Sequence, residues 1–202
     1  MALSDRLTAP DYYDRDAAEF AARYDSVSFE TVHPLLARHL PAVGRALDIG
    51  AGSGRDARAM VARGLTVTAV EPADGLRTIG ASNSDGVRWI DDRLPRLLQL
   101  REEAGRYDLI LCSAVLMLVP PADLAPSFVT MAGLLAPEGR LALNLRAAQE
   151  NEPDDLFFSH TDGAVLAAAK AAGLVCSDRG EAEDAIGRDG YLWRSFVFEH
   201  RT

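Results

Sequence analysis

Hydrophobic positions along this chain change period as the sequence proceeds. Residues 14–25 place Ala17, Phe20, Ala21 and Tyr24 on one helical face. Residues 28–39 predict a second helix, with Val32, Leu35, Leu36 and Leu40 inward. Pro34 fits its first turns, where a missing N–H costs little, and Pro41 ends it. From Ala46 onward, apolar runs at 46–49, 65–70, 87–90, 107–113, 140–145 and 173–176 read as strands. Between them, 54–63, 74–80, 93–104, 121–135 and 161–172 read as helices. Several strand candidates are continuously apolar, as expected of strands covered by helices on both faces of a parallel sheet. Strand–helix units joined right-handedly give a doubly wound α/β architecture.

The tail departs from this rhythm. No helix separates the 173–179 region from the apolar run Tyr191–Glu199, and residues 180–190 read as a polar loop. The last of seven strands therefore returns antiparallel to its neighbour. Residues 1–42, ahead of the first strand, are expected to form a helical cap, with residues 1–202 as one domain.

Composition narrows the ligand. Thirty acidic and 21 basic residues give a formal charge of −9. That balance opposes non-specific grip on nucleic acid, which requires neutralising many phosphates, and favours small or cationic ligands. Four histidines, at 33, 39, 160 and 200, show no metal-ligating spacing, so no metal site is expected. No apolar run approaches the roughly 18–20 residues of a membrane span. Residues 1–5 lack the basic and apolar segments of a secretory signal, and two cysteines are too few for a disulfide framework. A cytoplasmic protein is the expectation. Oligomeric state is not legible.

The chemistry concentrates in Ala46–Ala57. Gly50, Gly52 and Gly54 follow an apolar run and precede an apolar-faced helix, and Glu71 closes the next apolar run. Glycine lets loop backbone approach a ligand closely and adopt positive φ. The dinucleotide fingerprint Gly-x-Gly-x-x-Gly would put its third glycine at 55, which is Arg55. Asp48, two residues before the first glycine, also suits a cationic ligand better than a pyrophosphate. Each piece has a plainer reading: a tight turn, a carboxylate opening a helix before Pro72, solvated loop acids at Asp91 and Asp92. Their agreement in order, at the carboxyl ends of successive strands, is what a site across a parallel sheet requires.

Asp48-Ile-Gly-Ala-Gly-Ser-Gly54 resembles the first motif of class I S-adenosylmethionine-dependent methyltransferases, and the likeness covers nearly the whole chain. It implies a Rossmann-like sheet of seven strands, mostly parallel with an antiparallel last strand, with helices on both faces. It implies S-adenosylmethionine as cofactor, held by Asp48, Gly50, Ala51, Gly52 and Gly54. Glu71 is then expected to take the ribose hydroxyls beside Pro72. One of the aspartates Asp91 and Asp92, with Asp91 preferred, is expected at the adenine amino group, Ile90 against the ring, and Ser113 near the methionine part.

The acceptor is less legible. Motifs for adenine-N6, glutamine and cytosine-C5 methylation are missing after strand four, and Leu118 stands where related small-molecule enzymes often carry a histidine. The remaining candidates are His160 as a base, Arg146 as partner of an acidic acceptor, and Phe157, Phe158 and Tyr13 as acceptor walls. Tyr12 and Tyr24 are further aromatics of the cap. The expectation is methyl transfer to an oxygen or nitrogen of a small molecule. A non-catalytic S-adenosylmethionine-binding or interaction protein on the same fold is the alternative, with a nicotinamide oxidoreductase a distant third.

Overall fold

A computed structural model describes residues 7–201, so the first six residues of the expected cap lie outside it. Three short helices open the described chain: α1 (Ala9–Asp14), α2 (Ala17–Asp25) and α3 (Phe29–Val32). Thr8 starts α1 through a capping box with Asp11, and the Ser28 hydroxyl caps α3 by accepting from Thr31 N–H. The single helix expected over 28–39 is thus two pieces. α3 stops at Val32, just before Pro34, whose preceding residue is steered out of the helical region, and the chain resumes as a 3-10 turn at Leu36–His39.

Seven strands follow, interleaved with helices: β1 (Gly44–Ile49), α4 (Arg55–Val61), β2 (Leu65–Val70), α5 (Asp74–Ser82), β3 (Arg88–Ile90), β4 (Tyr107–Ser113), α6 (Pro121–Leu134), β5 (Leu135–Leu145), α7 (Asp162–Ala171), β6 (Leu174–Glu183) and β7 (Leu192–His200). They form one sheet in the order β3-β2-β1-β4-β5-β7-β6. β1 pairs in parallel with β2 and β4, β2 with β3, and β4 with β5. β7 runs antiparallel between β5 and β6, so the expected reversal of the last strand holds.

Two details differ from the reading of the sequence. The helix expected over 93–104 is instead an irregular turn and a 3-10 segment at Leu98–Glu103. Pro95 offers no N–H for a helical bond, and Leu97 adopts a φ of 42°, outside the helical region. The loop expected over 180–190 opens as strand, because β6 continues to Glu183 and pairs with β7 as far as Leu192. Its alternating burial, rather than an apolar run, hides this edge strand in the sequence.

The core lies on both faces, as side chains alternate along each strand. On one face Leu47, Ile49, Ile110 and Leu143 pack with Phe128 of α6 and with Phe196 and Phe198. On the other, Ala46, Val67, Leu109, Leu111 and Val197 pack with Ala57 and Met60 of α4 and with Phe29 and Leu36 of the cap. Among the described residues no helix is long and apolar enough to cross a membrane. Phe128 is fully buried, edge-on to Phe198 at 5.7 Å between centroids. Phe128→Ala should cost about 3–5 kcal/mol of unfolding free energy, measured by denaturant titration.

Candidate functional site

At the carboxyl end of β1 the chain turns through three left-handed glycines, Gly50, Gly52 and Gly54, with φ of 71°, 56° and 83°. The N–H groups of Gly50 and Ala51 donate to the Val70 carbonyl at 2.8 and 3.0 Å, tying the loop to β2. A Cβ at Gly50 would strike the Val115 side chain at 2.2 Å. One at Gly52 would meet nothing nearer than the Tyr24 ring, at 3.5 Å. Both residues line the same cavity, so a side chain at Gly52 would take up space that a ligand needs.

Glu71 follows β2 directly and is buried. Its carboxylate accepts from Gly52 N–H at 2.8 Å and from Ala73 N–H at 2.9 Å. Burial pushes its pKa up to about 6, against the pull of those two N–H groups. Each carboxylate oxygen retains a second lone pair for an incoming hydroxyl. Asp48 lies deeper, below the lining. Its Oδ2 is buried without a partner, and burial first, then the Asp56 charge, push its carboxyl well above the ordinary range.

Asp56 opens α4 and is buried too. His33 Nε2 donates to it at 2.9 Å, and Arg55 donates to both its oxygens at 2.7 and 2.9 Å. Although burial opposes ionisation, those two partners hold the Asp56 carboxyl far below the usual range. The far side of the His33 ring faces Asn144, whose Nδ2 lies 3.4 Å from Nδ1. Asn144 Oδ1 in turn accepts from Ser113 Oγ at 3.1 Å and from Ala114 N–H at 2.9 Å. Ala114, just past β4, has a φ of 58°, a strained conformation for a residue with a Cβ. A buried chain of polar groups therefore runs from α4 through the cap to the ends of β4 and β5.

These parts line one cavity of about 490 Å³. Gly50, Ala51, Gly52, Glu71, Pro72 and Ser113 all reach it, as expected, and so do Tyr12, Tyr13 and Tyr24 of the cap. Gly54 and Ile90 lie off its lining. Asp91 does too: its carboxylate is 60% exposed and 3.7 Å from Arg77, and the cavity is lined instead by Asp92, Arg93 and Leu94. The Asp92 carboxylate is held in its own loop, accepting from Arg93 N–H at 2.8 Å and Gln99 N–H at 2.7 Å.

Much of the remaining lining is aromatic. Phe157 and Phe158 line the cavity, joined by Tyr191 and Trp193 of the tail. Arg146 also reaches it, with its guanidinium carbon 4.6 Å from the centre of the Tyr191 ring, but its charge is already used. Both terminal nitrogens donate to the Glu152 carboxylate. The expected pairing of Arg146 with an acidic acceptor is thus pre-empted from within the chain. His160 does not line the cavity at all: its buried Nε2 lies 3.0 Å from the carbonyl oxygens of both Leu116 and Val119. Its N–H fastens the turn after β4, which removes the geometric basis for a base there.

Nothing in the sequence flags the pairing of His33 with Asp56, because a lone histidine carries no spacing signal. Asn144 does leave one, as a polar interruption in the apolar run of β5. Trp193 and Tyr191 are legible only as strand residues.

The family model for a methyltransferase domain matches residues 13–198. The chain belongs to the methyltransferase-domain family. Its fold is that of the class I S-adenosylmethionine-dependent methyltransferases, and S-adenosylmethionine is the cofactor of that fold. Among solved structures, this methyltransferase is similar to a TehB-like S-adenosylmethionine-dependent methyltransferase from Corynebacterium glutamicum, with 17% identity and a TM-score of 0.70 over 95% of this chain and 98% of the other. It is also similar to the 1,6-didemethyltoxoflavin N1-methyltransferase of Burkholderia thailandensis, with 19% identity and a TM-score of 0.70 over 99% of this chain and 94% of that one. A ubiquinone biosynthesis O-methyltransferase of Xanthomonas axonopodis is 35% identical over 111 residues. That match takes in 54% of this chain and 45% of the relative, less than half of the relative's length.

Gly52→Arg should abolish binding of S-adenosylhomocysteine by this methyltransferase in calorimetry while its far-ultraviolet circular dichroism stays native. The raised pKa of Glu71 gives a second expectation. A proton taken up below pH 6 converts one acceptor oxygen into a donor and removes the charge. Affinity for S-adenosylhomocysteine should therefore fall about tenfold between pH 7 and pH 5, and Glu71→Gln should flatten that dependence.

Proposed function

We propose that this chain moves the methyl group of S-adenosylmethionine to an oxygen or nitrogen of a small molecule. The observation that supports this most is one cavity lined both by a glycine loop with a buried carboxylate and by a group of aromatic rings. When bound, the cofactor supplies an electrophilic methyl on a positively charged sulfur.

The residues fit that group. Gly50, Ala51 and Gly52 leave room for it, and the free lone pairs of Glu71 accept the ribose hydroxyls. Pro72 and Leu94 flank the base, and Asp92 takes over the adenine contact expected of Asp91. Asp48 supports the loop from below. Ser113 and Ala114, held by Asn144, present backbone toward the methionine part. No side chain of this chain would need to protonate the departing group. The chain's task is to orient the acceptor about 3 Å from the methyl and to exclude water. Tyr13 and Tyr24 close the cap side of the cavity. Burial keeps both phenols protonated, with the Tyr13 pKa well above the ordinary value and that of Tyr24 raised to about 12.

A small acceptor rather than nucleic acid agrees with the charge of −9. A cytoplasmic location agrees with two cysteines that are both free thiols. The non-catalytic alternative makes a different forecast. With methyl-labelled S-adenosylmethionine and the low-molecular-mass fraction of a cell extract, the chain should transfer label to at least one metabolite. Donor binding without transfer to any fraction would favour the alternative.

A further inference from the structure

Deepening the methyl-transfer reading, and resting on it, we propose that the acceptor is an uncharged planar aromatic molecule carrying a hydroxyl or ring N–H. Five rings, those of Tyr12, Phe157, Phe158, Tyr191 and Trp193, line the cavity together with Leu118, and Tyr12 meets Phe157 edge-on at 5.5 Å between centroids. Flat apolar walls of this kind reward a flat apolar guest through stacking and edge-on contacts.

The charges in the same region are arranged in pairs. Arg146 is bound to Glu152, and Arg188 donates to Asp184 at 2.7 and 3.0 Å. Trp193 Nε1–H donates to the same Asp184 at 2.8 Å, which spends the indole N–H and leaves the ring as contact surface. Both arginines sit on the Tyr191 ring, with guanidinium carbons 4.6 and 4.2 Å from its centre. Asp155 also has a partner of its own. Glu183 is exposed in water, where its charge is weakly felt. Among the described residues, the two guanidiniums against these rings are thus spent on carboxylates, and no buried, unpaired carboxylate stands beside them for an ammonium; Arg93 lines the cavity elsewhere in the chain order, next to Leu94. A charged acceptor would leave water and gain no counter-ion in return, a loss that a neutral ring avoids.

In the reaction so assigned, an O–CH3 or N–CH3 bond forms as the S–CH3 bond breaks. The proton from the acceptor's own hydroxyl or ring N–H passes to water.

Calorimetry on the intact chain saturated with S-adenosylhomocysteine tests the assignment with three probes of similar size: 2-naphthol, 2-naphthoate and 2-decalol. The expectation is that 2-naphthol binds at least tenfold tighter than either of the others. Tighter binding of 2-naphthoate would overturn the neutrality of the aromatic lining. Equal binding of 2-decalol would overturn the planar class, and so would no binding by any of the three. Failure of S-adenosylhomocysteine itself to bind would overturn the methyl-transfer reading instead, and is seen before any probe is added. Two variants sharpen the result. Phe157→Leu with Trp193→Leu should weaken 2-naphthol at least fivefold while S-adenosylhomocysteine affinity stays constant. Glu152→Gln, which unpairs Arg146, should bring 2-naphthoate up at least tenfold. An unchanged 2-naphthol affinity in the first variant, or an unchanged 2-naphthoate affinity in a folded second variant, counts against the proposal.

Discussion

The bond from Gly52 N–H to the buried carboxylate of Glu71 is the contact on which this site depends. It fixes the glycine loop against the end of β2, and it explains why a carboxylate is tolerated away from water. A buried acid without donors would simply take up a proton; two backbone N–H groups reduce that tendency without abolishing it. Parallel pairing of β1 with β2 and β4 then brings the loop, Glu71 and Ser113 to one edge of the sheet. A site that crosses strands in this way needs only the ends of the strands to be right. Large parts of the chain are free to serve packing alone.

A second polar system, independent of Glu71, holds the other wall. Asp56, His33, Asn144 and the backbone of Ala114 form a buried chain in which each member restrains the next. Burial makes such groups costly unless partnered, so their geometry is tightly specified. Ala114 shows the effect: its left-handed conformation persists because the N–H it presents is held by Asn144. The strain sits beside Ser113, on the lining of the cavity.

Much of this is legible in the amino-acid order alone. Apolar runs mark β1, β2 and β4 within a residue or two, since strands buried on both faces carry an unbroken signal. The glycine spacing and Glu71 stand out because backbone proximity and charge constrain residue type directly. β6 reads short because an edge strand alternates and its outer half resembles a polar loop. The segment after β3 reads as a helix because its periodicity outweighs Pro95. Preference for Asp91 over Asp92 has no support in the amino-acid order, because a one-residue change of direction leaves no trace in composition; of the two, Asp92 lines the cavity. The roles expected of His160 and Arg146 fail for a common reason. A sequence shows that a polar side chain exists, but not whether the chain has already supplied its partner. Two backbone carbonyls and Glu152 do so here.

The unequal anchoring of the cap has a consequence for how it opens. α3 carries buried Phe29 and ends at fully buried His33, which is bonded into the sheet side of the molecule. No residue of α1 is fully buried, although Tyr13 packs partly buried against Ala73 and Leu76, and the carboxylate of Asp14 at its end reaches Gly75 and Asp74 N–H groups at an exposed seam. Opening costs least where least is covered, so the α1 margin of the cap gives way before the α3 side, which stays fixed.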